Sequence, residues 1–308
     1  MNILVTGGAG FIGSHIADAC LAAGHAVTII DDLSMGKKEN VNPKAAFVQM
    51  DIRSKELPGV FEKGAFDAVV HLAAQMDVRK SVDDPQFDAS VNILGSLNIL
   101  EQSRKFNVKK FVFASTGGAI YGEQETFPAD ESHPLRPISP YGISKLSIEK
   151  YLYYYHEVFG LAYVSLRFGN VYGPRQNPHG EAGVIAIFTS KMLAGEQPMI
   201  NGDGMQTRDY VYVGDVVKAA LFGVQHAGTG IFNVGTGIET NVNQLFGILR
   251  ELTGSSCDET HAPAKKGEQL RSVLDARLLQ KTGSWSASMP LKDGLRKTVE
   301  FFRDKKKG

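Results

Sequence analysis

Tyr141 and Lys145 stand four positions apart in the stretch SPYGISK, residues 139–145, directly around Pro140. Proline is tolerated in the first turn of a helix, so the spacing predicts a helix from Tyr141 through Phe159, with positions four apart lying one above the other. A phenol with a pKa of about 10 is a poor base at neutral pH, but an ammonium beside it favours the phenolate. Such a pair can take up and return a proton. On spacing alone a chance surface pair is the plainer reading, and the rest of the chain has to decide.

A second set of residues points to a nucleotide. Gly8, Gly10 and Gly13 in TGGAGFIGSH satisfy the GxGxxG spacing, and Gly7 with the last two also gives GxxGxxG. The pattern follows a strand-like run and opens a helix-like one. In that context glycines let the backbone turn sharply and approach a pyrophosphate at a helix N-terminus. Asp31 and Asp32 end the second strand-like run, close to the offset of ~20 residues at which an acid bonds the adenosine ribose diol. A carboxylate there repels a 2′-phosphate, so the expected cofactor is NAD rather than NADP. Asp51 and Ile52 follow FVQM and could bracket the adenine, although an Asp after a strand is as often a turn residue or helix cap.

The elements that must position these groups are legible as alternation. NILVT, HAVTII, AFVQM, AFDAVVHL, KKFVFAS and AYVSLRF read as strands, and Ile12–Ala23 and Phe87–Phe106 read as helices between them. Short apolar strands alternating with helices predict an α/β fold: a doubly wound parallel sheet of about six or seven strands, buried on both faces. Beyond about residue 170 the chain loosens into VYGPRQNPHGEAG and NGDGMQTRD, loops too long for simple connections and of the kind that bind something. Two domains are expected, a dinucleotide-binding domain over 1–170 and a smaller substrate-binding α/β domain over 171–308. Segments around 208–234 are expected to return to the first.

Bulk composition excludes several function classes. The 308 residues carry 33 Lys and Arg against 33 Asp and Glu, so no strong field draws the chain to nucleic acid or an anionic membrane. The apolar runs are strand-sized and span no bilayer. The first strand starts at Asn2, which leaves no room for a signal peptide. Cys20 and Cys257 lack zinc or redox spacing, and a cytoplasmic setting is expected. The eight histidines include no pair at metal-ligand spacing on one helix, so no metal site is expected.

With the glycine loop, the order HLAAQ (71–75), VNILGSLNIL (91–100), ASTGGAIYG (114–122) and SPYGISK resembles the extended short-chain dehydrogenase/reductase family, a Rossmann fold. RFGNVYGPRQ, QTRDYVYVGDV and GEQLRSVLD carry the likeness to about residue 275. Within that family the chain is most similar to NAD-dependent UDP-glucose 4-epimerases. The resemblance implies a cradle for NAD made of Gly7, Gly10, Phe11, Ile12 and Gly13. It continues through Asp31, Asp32, Asp51 and Ile52, then Leu72, Ala73, Ala74, Gln75 and Asn92. It also makes Tyr141 the base and gives Lys145 two tasks, tuning the phenol and holding the nicotinamide ribose. A third group, a Ser or Thr hydroxyl, is implied shortly before Tyr121-Gly122; STGGAIYG is one residue longer than the commonest epimerase pattern, and Thr116 is the first choice with Ser115 the second. Related 4,6-dehydratases carry an acid pair where this chain has Gly117 and Gly118, so dehydration is disfavoured.

For the substrate, the resemblance places Asn170 on sugar or phosphate oxygens and Arg208 on the diphosphate, where a planar guanidinium bonds phosphate oxygens in pairs. An ion pair with the adjacent Asp209 is the competing reading of Arg208. Val184 and Ile200 fall where the family sandwiches uracil, though apolar residues at such positions are more often core. Glu268 matches the acid on the uridine ribose, and Lys265 stands where an Arg is commoner. Ser272 lines up with a gate that is small in enzymes admitting N-acetyl sugars. The implied reaction interconverts UDP-glucose and UDP-galactose, and with a small gate their acetamido counterparts, by reversible hydride transfer at sugar carbon 4 to tightly bound NAD. Another sugar-nucleotide enzyme (a UDP-glucuronate epimerase, a decarboxylase or a reductase) and a silent NAD-binding protein are the alternatives. Aromatic residues on several faces of YLYYYHEVFG predict a homodimer through this helix and Phe87–Phe106, against a helix buried within the monomer.

Overall fold

A computed structural model describes residues 1–178, 183–264 and 269–307. The strands are β1 (Asn2–Thr6), β2 (Ala26–Asp31), β3 (Ala46–Gln49), β4 (Ala68–His71), β5 (Lys110–Thr116) and β6 (Ala162–Phe168), followed by β7 (Asn170–Tyr172), β8 (Ile200–Asn201), β9 (Thr207–Tyr212), β10 (Gly230–Val234), β11 (Glu239–Asn241), β12 (His261–Ala262) and β13 (Arg271–Ser272). The helices are α1 (Phe11–Ala22), α2 (Leu57–Gly64), α3 (Val78–Asp83), α4 (Pro85–Ala89), α5 (Ser96–Lys105), α6 (Pro140–Phe159), α7 (Val184–Ala194), α8 (Val213–Gln225), α9 (Val242–Thr253), α10 (Arg277–Gly283) and α11 (Leu291–Lys307). No helix among the described residues is long and apolar enough to cross a membrane.

A seven-stranded sheet runs in the order β10-β6-β5-β4-β1-β2-β3, and every neighbouring pair is parallel. Its strands are apolar on both sides because both faces are covered: Ile3, Val5, Val70, Val112 and Val164 pack towards one face with residues of α1 and α8, while Leu4, Val69, Phe111 and Phe113 pack towards the other with residues of α2, α5 and α6. Successive residues of a strand point to opposite faces, so one short run serves both cores. The chain steps outward from β1 in two directions, through β2 to β3 and through β4 to β6. A crevice therefore opens beyond the carboxyl ends of β1 and β4, the place where this architecture binds ligands.

The return to this sheet is narrower than the segment 208–234. Residues 207–212 form β9, which pairs with β7, β11 and β13 in a second, four-stranded sheet. Of that segment, α8 and β10 rejoin the large sheet, α8 by packing Val216, Ala219 and Ala220 into its core. A separate core of Phe188, Phe246, Leu249 and Leu295 holds α7, α9 and α11 together.

Two further elements differ from the sequence reading. AFDAVVHL yields a strand only from Ala68, because Ala65 ends α2 in the left-handed region and Asp67 turns its carboxylate to the Asn2 N–H. The helix read as 87–106 starts at Pro85, N-capped by Asp84, and residues Ser90–Gly95 form a π-helical stretch before α5. A single widened turn of this kind shifts the facing of everything after it and is often found at functional sites.

Candidate functional site

The glycine loop fits an anion. Gly10 N-caps α1 without any side-chain bond, and the first turn, which includes Phe11 and Ile12, holds no acidic residue. The helix N–H groups and dipole are thus left for a diphosphate. A Cβ at Gly13 would fall 2.2 Å from the Gly7 carbonyl oxygen, and one at Gly7, where φ is +70°, 2.8 Å from the Ala73 nitrogen. The loop is therefore packed directly on the residues after β4. Asp31 braces it from the other side, accepting from the Ala9 N–H at 2.9 Å and from the Leu33 N–H at 2.9 Å. Burial raises the pKa of its carboxyl, against the pull of those bonds. Asp32 is occupied in a local turn with Ser34. Asp51 likewise accepts from the Arg53 N–H and pairs with its guanidinium, which holds the carboxyl below its usual range; this is the turn alternative raised by the sequence. Ile52 is buried.

The far wall of the crevice is set by buried polar side chains, of which the sequence reading singled out Asn92 but not Thr6, His71 or Ser96. The Ala73 N–H donates to Thr6 Oγ1, which lies 2.6 Å from His71 Nδ1; His71 Nε2 lies 2.8 Å from Ser96 Oγ, and Ser96 donates to the Asn92 carbonyl. Because the Ser96 proton is committed to that carbonyl, its oxygen must accept. His71 therefore carries its hydrogen on Nε2 and accepts from Thr6 at Nδ1. Burial pushes the imidazole pKa down to about 3, so the ring is neutral and this tautomer is fixed. Asn92, in the π-helical stretch, grips Gln75 from both sides: its Oδ1 accepts from the Gln75 N–H and its Nδ2 donates to the Gln75 carbonyl. Leu72, Ala73, Ala74 and Gln75 are thereby held opposite the glycine loop.

Lys145 and Tyr141 come from the first two turns of α6, whose start is fixed by Ser139 accepting from the Gly142 N–H and by Pro140. The Tyr141 N–H donates to Ser81 of α3. Lys145 is buried, with Nζ 5.7 Å from the Tyr141 ring centroid and 4.8 Å from that of Phe113, and it donates to the Ala114 carbonyl at 2.8 Å. Burial lowers its pKa to about 8, opposed by the negative charges of Asp88 and Glu149. Of the two candidate hydroxyls at the end of β5, Ser115 is buried with no bonded partner. Thr116 is half-buried and accepts from the Ala119 N–H, which leaves its own proton to donate.

Gly117 and Gly118 differ sharply. A Cβ at Gly117 would lie 2.4 Å from Leu274 Cδ1, whereas one at Gly118 would meet, among the described residues, only Asn170 Oδ1 at 3.8 Å and Thr116 Oγ1 at 3.9 Å. Gly118 thus fronts a space shared by Thr116 and Asn170. Gly117→Ala is expected to lower stability by about 1–3 kcal/mol through overpacking, and Gly118→Ala to leave it nearly unchanged. Chemical denaturation of the two variants checks this; equal losses would contradict it.

On the second sheet Arg208 in β9 is flanked in register by Ser272 of β13 and Thr240 of β11. Arg208 Nη1 donates to the Thr207 carbonyl. The neighbouring Asp209 carboxylate is filled by the N–H groups of Thr236, Gly237 and Leu274 and by the Thr236 hydroxyl. Ser272 is buried. Val184 opens α7, half-buried, while Ile200 is fully buried in the second core, with no side-chain surface left for a base. Lys265 and Glu268 lie outside the described residues.

Comparison with known proteins agrees with this geometry. Residues 3–235 match the model of the NAD dependent epimerase/dehydratase family. A UDP-glucose 4-epimerase of Mycolicibacterium smegmatis is 43% identical over 311 residues, covering 99% of each chain. Among solved structures, the UDP-glucose 4-epimerase of Thermotoga maritima with UDP-glucose is 50% identical with a TM-score of 0.97, covering 99% of each chain. That of Thermus thermophilus in complex with NAD is 46% identical with a TM-score of 0.94, covering 98% of this chain and 99% of its own. With its glycine loop at the crevice of a doubly wound sheet and its Tyr-Lys pair on α6, the chain belongs to the NAD dependent epimerase/dehydratase family.

Proposed function

We propose that the chain is an NAD-dependent isomerase, a UDP-glucose 4-epimerase. The observation that carries the reading is the buried Lys145 ammonium beside the Tyr141 ring, at the edge of a crevice whose glycine loop fits a dinucleotide diphosphate. Bound NAD supplies reversible hydride acceptance at carbon 4 of the sugar. The chain's own residues manage the proton and the pose. Tyr141 takes the proton of the 4-hydroxyl and later returns one to the same oxygen, Lys145 favours the phenolate, and the Thr116 hydroxyl bonds the sugar oxygen. Arg208 neutralises the UDP diphosphate, and Asn170 bonds sugar or phosphate oxygens. Since the reaction begins and ends at the same oxidation level, no second substrate is consumed.

The division of labour follows the two sheets. Residues 1–170 with α8 and β10 hold NAD, and the rest of 171–308 holds the nucleotide-sugar. The unpaired state of Cys20 and Cys257 suits a cytoplasmic setting. The apolar side chains on α6 support homodimerisation: Tyr151, Tyr153, Tyr154, Val158 and Phe159 are all exposed, as is Leu94 of the π-helical stretch. Incubating the protein with UDP-glucose, UDP-galactose and their acetamido counterparts, with no added cofactor and products resolved by NMR, tests the activity. Steady release of NADH, or of carbon dioxide when UDP-glucuronate is supplied as a further substrate, would overturn it.

Ser272 sets the sugar preference in this reading, because a small side chain in register with Arg208 leaves room for an acetamido group. Ser272→Tyr is expected to lower kcat/KM for UDP-N-acetylglucosamine by about 10-fold or more, with a smaller change for UDP-glucose. Equal exclusion of the acetamido sugar by both proteins would refute it.

A further inference from the structure

We propose that Asp88 is a positioning residue for this chemistry: its buried carboxylate, tied to Ser144 and to the Gln75–Asn92 clasp, is the counter-charge that keeps Lys145 an ammonium beneath Tyr141. The inference rests on Tyr141 and Lys145 being the reacting pair.

Asp88 lies on α4, immediately before the π-helical stretch, and is fully buried. Its Oδ1 accepts from Gln75 Nε2 at 3.1 Å and Asn92 Nδ2 at 2.9 Å, and its Oδ2 from Ser144 Oγ at 2.6 Å. All three donors are neutral. A carboxylate out of water satisfied only by neutral groups is costly unless a cation shares its surroundings. Lys145 is in the mirror-image position, since its ammonium meets a carbonyl oxygen and the face of Phe113. It directly follows Ser144 in the chain, so the hydroxyl bonded to Asp88 and the ammonium belong to neighbouring residues.

The other charges around Lys145 are already committed or lie in solvent. Glu149, one turn along α6, is held in a two-point pair by Arg167 of β6. His71 of β4 is neutral in its relay. Asp77 caps α3 through the Lys80 N–H and Asp84 caps α4 through the Phe87 N–H. Arg79, Lys80, Asp83 and Asp84 are exposed, and Glu101 of α5 pairs with Arg104 and Tyr155. Among the described residues Asp88 is left as the buried anion with no cation of its own, and with Glu149 it favours the protonated amine against the burial that disfavours it. The same carboxylate fixes Gln75 and Asn92, so one group sets both the charge under the phenol and the wall of the cofactor crevice.

Two measurements test this on the holoenzyme. The first is the pH profile of kcat. Asp88→Asn is expected to move the alkaline limb of kcat down by about one pH unit, while Ser144→Ala, which removes a hydrogen bond but keeps the carboxylate, leaves that limb in place. The second is a thermal cycle that needs no turnover. Lys145→Met strands the Asp88 charge, so the double variant Lys145→Met/Asp88→Asn is expected to melt above Lys145→Met alone. A kcat lowered equally at every pH by Asp88→Asn, or melting shifts that simply add, would overturn the proposal. Should Asp88→Asn alone not fold, the comparison of Lys145→Met with the double variant still decides. Because the cycle reads stability, its result is independent of whether Tyr141 proves to be the base.

Discussion

Tyr141→Phe should lose about 10²–10⁴-fold in kcat while keeping its fold and its bound NAD. The substitution removes one oxygen from a half-buried ring. The bond that anchors the start of α6 to Ser81 is made by the backbone N–H of residue 141, which Phe retains. Lys145 keeps its bond to the Ala114 carbonyl, so the ammonium stays in place without a phenol to tune. Affinity for UDP-sugars should change little, because no diphosphate contact is assigned to this side chain. Retained melting temperature and nucleotide content with lost turnover is the expected combination, measured by calorimetry, absorbance after denaturation and NMR of products. Full activity in this variant would remove Tyr141 from the mechanism.

The same pair sets a pH dependence with a definite sign. Lys145 favours the phenolate only while it is protonated, and burial brings its pKa down to about 8. Activity is therefore expected to fall as pH rises through that value. Had the amine kept an ordinary lysine pKa of about 10.4, the fall would come correspondingly later.

How much of this was legible from residue order depends on how local the cause is. Strands of the large sheet could be read because a parallel sheet buries both faces, so AYVSLRF, apolar but for Ser165 and Arg167, is β6 from end to end, whereas AFDAVVHL yields only Ala68–His71. The glycine loop could be read because short-range spacing after a strand defines it, whereas the Tyr-Lys pair takes its meaning from the ordered motifs around it rather than from its own spacing. The π-helical turn at Ser90–Gly95 could not, since it changes a hydrogen-bond step without disturbing the apolar pattern. The relay from Thr6 through His71 to Ser96, and the clasp of Asp88 on Ser144, join residues of distant segments. Each of these residues taken singly looks like an ordinary polar position. His71 opens the HLAAQ run, and the signal that marks it is its place at the end of a strand otherwise wholly apolar, AVVH.

Arg167→Met is the substitution for which the fold should suffer most. Arg167 is 2% exposed and bonds both carboxylate oxygens of Glu149, with Nε to Oε1 at 3.1 Å and Nη2 to Oε2 at 2.7 Å. Burial works against its charge, yet the bonds to Glu149 and Tyr121 prevail and its pKa is raised. Its Nη1 also donates to the Tyr121 hydroxyl, which passes its own proton to Asn233 of β10, so one side chain ties α6, the loop after β5 and the sheet edge together. Removing the guanidinium leaves Glu149 buried with Ser165 as its remaining donor, at a cost of about 3–5 kcal/mol. Replacing both members, as Arg167→Met/Glu149→Leu, should recover much of that loss, because two apolar groups of similar size avoid the stranded charge. Urea unfolding of the single and double variants measures the difference; a double variant no more stable than Arg167→Met would mean that the cost lies in packing rather than in the uncompensated carboxylate.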